Sequence, residues 1–372
     1  MKYKVTIETA IAATKYAILP ICCWPPPIGA NKWAVRRHNI CGWLAIVLLV
    51  INVLSIIYNI YLNRNDIDRC IKILAEMGAL MSTCMKILIC KKERLRLQVL
   101  VAEMENFIKQ ATGEEKELIQ AYVDRCFVLH TTVFVSCILG PIFFIAGPIF
   151  QPQPFPGDVA YPFEVNSTWL WLCMYVMQSI SIFQVGSMVM IDILYAMLLW
   201  YTGLRFELLN LEFQKVTNTN ELRGCVGKYQ KLIRYTENLT ASTRIIAVEI
   251  TSIAMFAVTT GGFVIIRRPG KYDVVKFIFF ELVSAMELLL FSWPADHLIK
   301  VSEEVGASVF NSDWIGKSPT MLRNMLSIMQ RSQQPVVIYV DGLLPILSLA
   351  FYGSTMSASF SYLTTLRAIA DG

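Results

Sequence analysis

Charge is scarce in this chain. Only 16% of its 372 residues are Asp, Glu, Lys or Arg, against roughly 25% in soluble domains. Histidine is scarce: His38, His130 and His297 are the three present, and no Cys/His cluster forms. The ten cysteines have no repeated spacing, so neither a metal site nor a disulfide framework is expected. A Gly-rich phosphate loop, HExxH and G-x-S-x-G are all missing. No catalytic constellation and no cofactor are therefore expected, and the chain does not read as an enzyme. The basic segments are interleaved with acidic residues, as in "EMENFIKQATGEEKELIQ". They read as solvated helices and exclude a nucleic-acid surface. No cleavable signal peptide stands out. The stretch from Val5 to Cys23 is interrupted by Glu8 and Lys15 and runs into "CCWPPP"; it reads as an amphipathic or re-entrant helix.

What is abundant is apolar residues, 55% of the chain, bunched in long runs. That pattern marks a membrane protein. Seven candidate spans follow: Ile40 to Tyr61, Ile67 to Cys90, Cys126 to Phe150, Trp169 to about Trp200, Ile245 to Ile266, Val274 to Trp293 and Ile346 to about Arg367. The second is the weakest, because it holds Asp68, Arg69, Lys72, Glu76 and Lys86. The fourth is too long for one crossing of roughly 20 residues, so it should project beyond the bilayer into "LRFELLNLEF". Lys and Arg crowd the N-terminal segment and the connections after spans two, four and six. The opposite connections are short or, like "QPQPFPGDVAYPFEVNST", carry no Lys or Arg. The positive-inside rule then gives a cytoplasmic N-terminus and, with seven spans, an extracellular C-terminus. G-protein-coupled receptors have the opposite arrangement. The sequon at Asn166 falls outside, where glycosylation can occur, although a chance sequon is as good a reading. The fold expected is all-α and polytopic. Residues 1–38 form a cytoplasmic segment and 39–293 spans one to six. Residues 294–345 form cytoplasmic anchor helices, and 346–372 the last helix.

From Asp296 onward the chain resembles the C-terminal third of insect odorant receptors, on "SEEVGASVFNSDW", "RNMLSIMQRSQQPV" and "SYLTTLR". Weaker marks are "YPFEV" before span four and "FQVGSMVMIDIL" within it. The related gustatory receptors end in a Thr-Tyr…Gln-Phe pattern, and the missing Gln-Phe favours the odorant branch. The resemblance implies a subunit of a tetrameric ligand-gated cation channel in the plasma membrane of sensory neurons. It implies partnership with a shared odorant co-receptor subunit. The last span of each subunit would line a pore for permeant cations. The inner ends of spans four to six, with the helix before span seven, would form an anchor. A small volatile organic ligand would bind among spans two, three, four and six, with membrane lipid outside. The alternative function is a metabotropic seven-helix receptor signalling through a G protein.

The residues bear on these sites independently. At about 100° per residue, Ser354, Ser357, Ser361, Thr365 and Ala368 share one stripe of the last span, and Ile369 lies one turn beyond Thr365. Small and hydroxylated side chains suit passing ions. They also suit helix packing, which the residues alone favour; the resemblance reverses that choice. It puts the family's gate at Thr365 and Ile369, and Thr365 departs from the usual apolar residue. Gly342 and Pro345 should end the preceding helix, patterned from Thr320 to Val340, and serve as a hinge or as a plain turn. A pocket for a volatile needs aromatic and Met walls with few polar groups. Candidates are Met77, Leu80 and Met81 in span two, and Leu139, Phe143 and Phe144 in span three. Span four offers Trp171, Met174, Tyr175 and Gln178, and span six Phe277 and Phe280. Each taken singly also suits core packing. Gln178 is the strong hydrogen-bonding group of that set. Among charges within spans, Glu76 is expected to pair with Lys72 one turn away. Asp192 is expected to bond a neighbouring helix, and Glu249, Glu281 and Glu287 to face protein rather than lipid.

Overall fold

Each apolar run becomes a helix longer than the run itself. The computed structural model describes residues 5–150, 153–267 and 270–371, except the side chains of Ile265, Leu363 and residues 366–371. Among the described residues there are eleven α-helices, one 3-10 turn and no strand beyond a single bridge. They are α1 (Ile7–Ala17), α2 (Lys32–Leu62), α3 (Ile67–Lys92), α4 (Arg94–Gln110), α5 (Gly113–Ile145) and α6 (Gly147–Phe150). After them come α7 (Thr168–Gln214), α8 (Thr219–Ile266), α9 (Lys271–Phe310), α10 (Pro319–Ser332) and α11 (Leu349–Asp371). The all-α expectation holds. Five helices, α2, α3, α5, α7 and α8, are long and apolar enough to cross a membrane, which makes this a multi-pass membrane protein. The sixth and seventh expected spans, α9 and α11, are not among those five.

The charged connection after span two resolves into α4 and the start of α5. Thr112 and Glu115 form a reciprocal capping box at that start, which satisfies two otherwise orphaned N–H groups. α2 shows how the surface is arranged. Ala45, Leu49, Asn52, Ile56 and Asn59 are buried at helical spacing, whereas Trp43, Leu44, Val47 and Leu54 are exposed. An apolar face this continuous on the outside suits contact with lipid. α7 is the opposite case: every residue from Ser187 to Leu204 is buried in a core that α3, α5, α8 and α9 complete. Its 47 residues at 1.5 Å each make a rod roughly 70 Å long, more than twice the hydrocarbon thickness. It continues unbroken through "LRFELLNLEF", as the excess length of the fourth span indicated.

One boundary differs from expectation. The helix before the last span stops at Ser332, not at Val340. The cause is Pro335, which disfavours helix at Gln334 and removes an N–H. Residues 333–348 instead form an irregular segment. Val340 and Leu344 exchange backbone hydrogen bonds of 2.9 and 2.8 Å around a turn where Gly342 sits at φ +73°. The Leu347 N–H donates to the Ile338 carbonyl at 2.9 Å. α11 therefore begins at Leu349, after Pro345. Its start is tied to α9 by a hydrogen bond from the Leu349 N–H to Asp296 at 3.3 Å.

At one end of the bundle, Tyr122 of α5 bonds both Glu207 of α7 and His297 of α9. Trp200 packs edge-on against Trp293 beside them. Burial, reinforced by the Arg125 charge, holds the His297 imidazole below its ordinary pKa, so its neutral form is the one that fits this junction.

Candidate functional site

Small residues open a void where six long helices meet. Ala79 of α3, Gly140 of α5 and Gly186 of α7 face a cavity of about 170 Å³ bounded also by α2, α8 and α9. The helices fold tightly around it. A Cβ placed on Gly140 would collide with Phe279, and one on Gly186 with Pro141 and the Cys137 carbonyl oxygen at 2.6 and 2.7 Å. Of the twelve pocket candidates, Leu80, Phe144, Gln178, Phe277 and Phe280 line the cavity. The other seven do not. Met81, Leu139 and Trp171 face outward. Met77 is half-buried against the core, and Met174 is half-buried away from the cavity. Phe143 stacks on Tyr272 with centroids 5.2 Å apart, and Tyr175 donates its hydroxyl to the Ile145 carbonyl.

Sequence reading missed the strap that closes one end. Residues 153–166, between α6 and α7, dip inward so that Pro156, Gly157 and Val159 join the wall. The Gly157 N–H donates to Gln178 at 3.1 Å, and Gln178 donates in turn to the Tyr161 hydroxyl at 2.9 Å. The Asp158 N–H donates to Glu76 at 3.1 Å, and Asn59 donates to the Asp158 carbonyl at 2.9 Å. Gln178 thus holds the strap with both ends of its amide. The four prolines of this connection were the available signal, since they forbid a helix and force the chain to take hydrogen bonds elsewhere.

The intramembrane charges pair between helices, not along them. Lys72 bonds Asp273 at 2.6 Å, and Glu76 pairs with Lys276; the expected Glu76–Lys72 pair does not form. An i,i+4 neighbour loses to a partner on α9 because a shared buried contact also removes both groups from lipid. Deeper, Lys86 of α3 sits among Asp192 of α7 at 2.7 Å, Glu287 of α9 at 3.7 Å and Glu249 of α8 at 3.8 Å. All four side chains are at most 4% exposed. Ser82 donates to Glu249 beside them. One ammonium therefore joins four helices beneath the cavity, where Met188 and Glu287 are shared by both features.

On α11, Ser354, Ser357, Ser361 and Thr365 are exposed. The side chains of Ala368 and Ile369 lie outside the described residues. The Thr365 hydroxyl donates to the Ser361 carbonyl at 2.9 Å. Asn166 is exposed and bonds Glu164 at 2.9 Å. A second apolar void, about 350 Å³, lies under α1 between α5 and α7.

The family model described as 7tm Odorant receptor matches residues 77–360, which takes in α3 from Met77 onward, most of the cavity lining, the charge cluster and the first half of α11. The chain belongs to that family. Among curated odorant receptors, Odorant receptor 13a of Drosophila melanogaster is 26% identical over 65% of this chain and 64% of its own length. Odorant receptor 67a of the same species is 21% identical over 82% of this chain and 81% of its own. The chain thus spans just under two thirds of the first of these relatives. In fold, it matches olfactory receptor OR5 of Machilis hrabei with a TM-score of 0.82, at 14% identity over 96% of this chain and 98% of that one. The structure of the same receptor in complex with eugenol gives 0.79 over 97% and 99%. This is a family of receptors, not of enzymes.

Proposed function

We propose that this odorant receptor is the odorant-tuned subunit of a ligand-gated, non-selective cation channel, assembled as a heterotetramer with a shared co-receptor in the plasma membrane of sensory neurons. The carrying observation is a small, mostly apolar cavity inside the helix bundle, strapped at one end and adjacent to a buried charge cluster. Such a site takes a small volatile and little else. In this reading seven helices cross the membrane with the N-terminus inside, and residues 294–345 hold the tetramer together. Four copies of the last helix line the pore, with the stripe from Ser354 to Thr365 and onward to Ala368 and Ile369 facing the ions. Support comes from the exposure of that stripe, which the chain does not bury against its own helices. Gly342 and Pro345 separate the anchor from the pore helix and permit their relative movement.

The test is whole-cell current from cells expressing this chain with and without a co-receptor subunit, and with surface expression confirmed by an epitope tag. Odorant-evoked current that persists when nucleotide exchange on G proteins is blocked is the expected result. Silence in both cases across chemically diverse volatiles would overturn the reading.

The pore gives a sharper expectation. A threonine at the proposed constriction leaves a polar atom where an apolar ring would exclude water. Thr365→Val should lower the basal, odorant-free current severalfold at equal surface expression. An unchanged leak would remove Thr365 from the gate.

A further inference from the structure

The cavity wall contains an acid with nothing to answer it. Glu281 of α9 lines the void, and its Oε1 is buried with no hydrogen-bond partner among the described residues. Its position is built into the fold: Gly261 of α8 lies against the carboxyl, and any Cβ there would overlap Glu281 Oε1. A second carboxyl oxygen, Oε1 of Glu287, is also buried and unpartnered, on a side chain only 4% exposed that lines the same cavity. The cations nearby are committed elsewhere. Lys276 is held by Glu76 at the strap end, and Lys86 already faces three carboxylates. The wall therefore carries more acid than base, inside an otherwise apolar shell of Phe144, Phe277 and Phe280.

We propose that the cavity selects small volatile amines, with the amine nitrogen bound by Glu281. This rests on the ligand-gated reading above and names the class of ligand. An unpaired acidic group in an apolar wall is costly, and an amine relieves it in either protonation state. A protonated carboxyl donates its hydrogen to the amine lone pair; an ionised one accepts a hydrogen bond from an ammonium. Both routes end in one N–H–O unit with a single proton shared between nitrogen and oxygen, and nothing else is consumed or released. A charge-assisted bond of this kind is roughly twice as strong as a neutral one. An alcohol of the same length brings neither a positive charge nor a basic nitrogen to the acid, so it bonds without ion pairing or proton transfer, and a hydrocarbon forms no such bond. The volume, about 170 Å³, falls below the roughly 300–1,000 Å³ of drug-sized sites, so the amine must be small, with one short aliphatic or aromatic body against the phenylalanines.

The experiment compares hexylamine, hexan-1-ol, methyl pentanoate and heptane on cells expressing the chain with a co-receptor subunit. Half-maximal concentrations for current are read for the native chain and for Glu281→Gln. In the native chain hexylamine should be at least about tenfold more potent than hexan-1-ol. In Glu281→Gln that advantage should fall to within about threefold, with the alcohol response retained. If Glu281→Gln fails to reach the surface, Glu281→Asp, which keeps the acid one methylene farther back, should narrow the amine advantage. An amine no better than the alcohol, or an advantage unchanged in the variant that reaches the surface, overturns the assignment. Current to alcohols or esters without amine preference removes this inference alone. Silence to amines and to every other class of volatile removes the channel reading with it.

Discussion

Replacing Lys86 with methionine is expected to cost about 3–5 kcal/mol, the usual result of stranding buried charge by removing its partner. Methionine keeps the length and the apolar stem, so packing of α3 changes little. What changes is that Asp192, Glu249 and Glu287 lose the ammonium within 4 Å that lets them share one place. The detergent-solubilised variant should melt at a clearly lower temperature and give little monodisperse protein. Adding Asp192→Asn removes the carboxyl closest to the lost ammonium and should recover part of the loss. The recovery is incomplete because Glu249 and Glu287 remain. A Lys86→Met protein that behaves like the native one would show that the cluster does not hold the four helices together.

The second large effect is expected at Gly186. Pro141 lies inside α5 and has no N–H, which leaves the Cys137 carbonyl without its donor one turn on. α7 approaches at this bare spot, and it can do so only because Gly186 has no side chain. An added Cβ would lie 2.7 Å from that carbonyl oxygen and 2.6 Å from the proline ring. A backbone oxygen cannot swing aside as a side chain can, so Gly186→Ala must push the helices apart. A loss of about 1–3 kcal/mol is expected for alanine and more for Gly186→Val. Because Gly186 also lines the cavity, ligand response should weaken even where folding survives. Gly224→Ala is the matched control: nothing lies within 4 Å of its Cβ position, and helix propensity favours alanine by up to about 1 kcal/mol. If the two alanine variants have equal melting temperatures, the close-approach account is wrong.

Much of the architecture was legible because lipid imposes a simple rule on composition. The apolar runs located the long helices, and the excess length of the fourth correctly implied a rod running beyond the bilayer into "LRFELLNLEF". The family marks in the last third of the chain agreed with the match over residues 77–360. What could not be read was anything that depends on which way a helix turns about its axis. Leu80 and Met81 are neighbours in sequence, yet one lines the cavity and the other is exposed. The Lys86 cluster unites residues more than a hundred positions apart, which no spacing rule reaches. The Glu76–Lys72 expectation failed for the same reason. Pro335, not Gly342 or Pro345, ends the helical pattern, so α10 stops eight residues before Val340. The cavity itself is made by absences: Gly140, Gly186 and Ala79 form it by what they lack, and small residues carry no such signal in a composition that draws attention to aromatic walls.

The strap carries a consequence for how potency should be measured. Its backbone is spent on Gln178, Glu76 and Asn59. A solute entering from that end must break such bonds, at about 0.5–1.5 kcal/mol apiece. Between helices, by contrast, a solute would have to displace side chains and not these backbone hydrogen bonds. A volatile taking that route arrives already dissolved in the bilayer, and the oil phase sets how fast it arrives. Two compounds with equal fit would then differ in speed of onset by oil–water partition, and a brief exposure would misorder them. Free amines and their salts would differ by the same logic, since only the uncharged form partitions freely, so the alkalinity of the surrounding fluid would act as a gain control on the receptor without touching a single one of its residues.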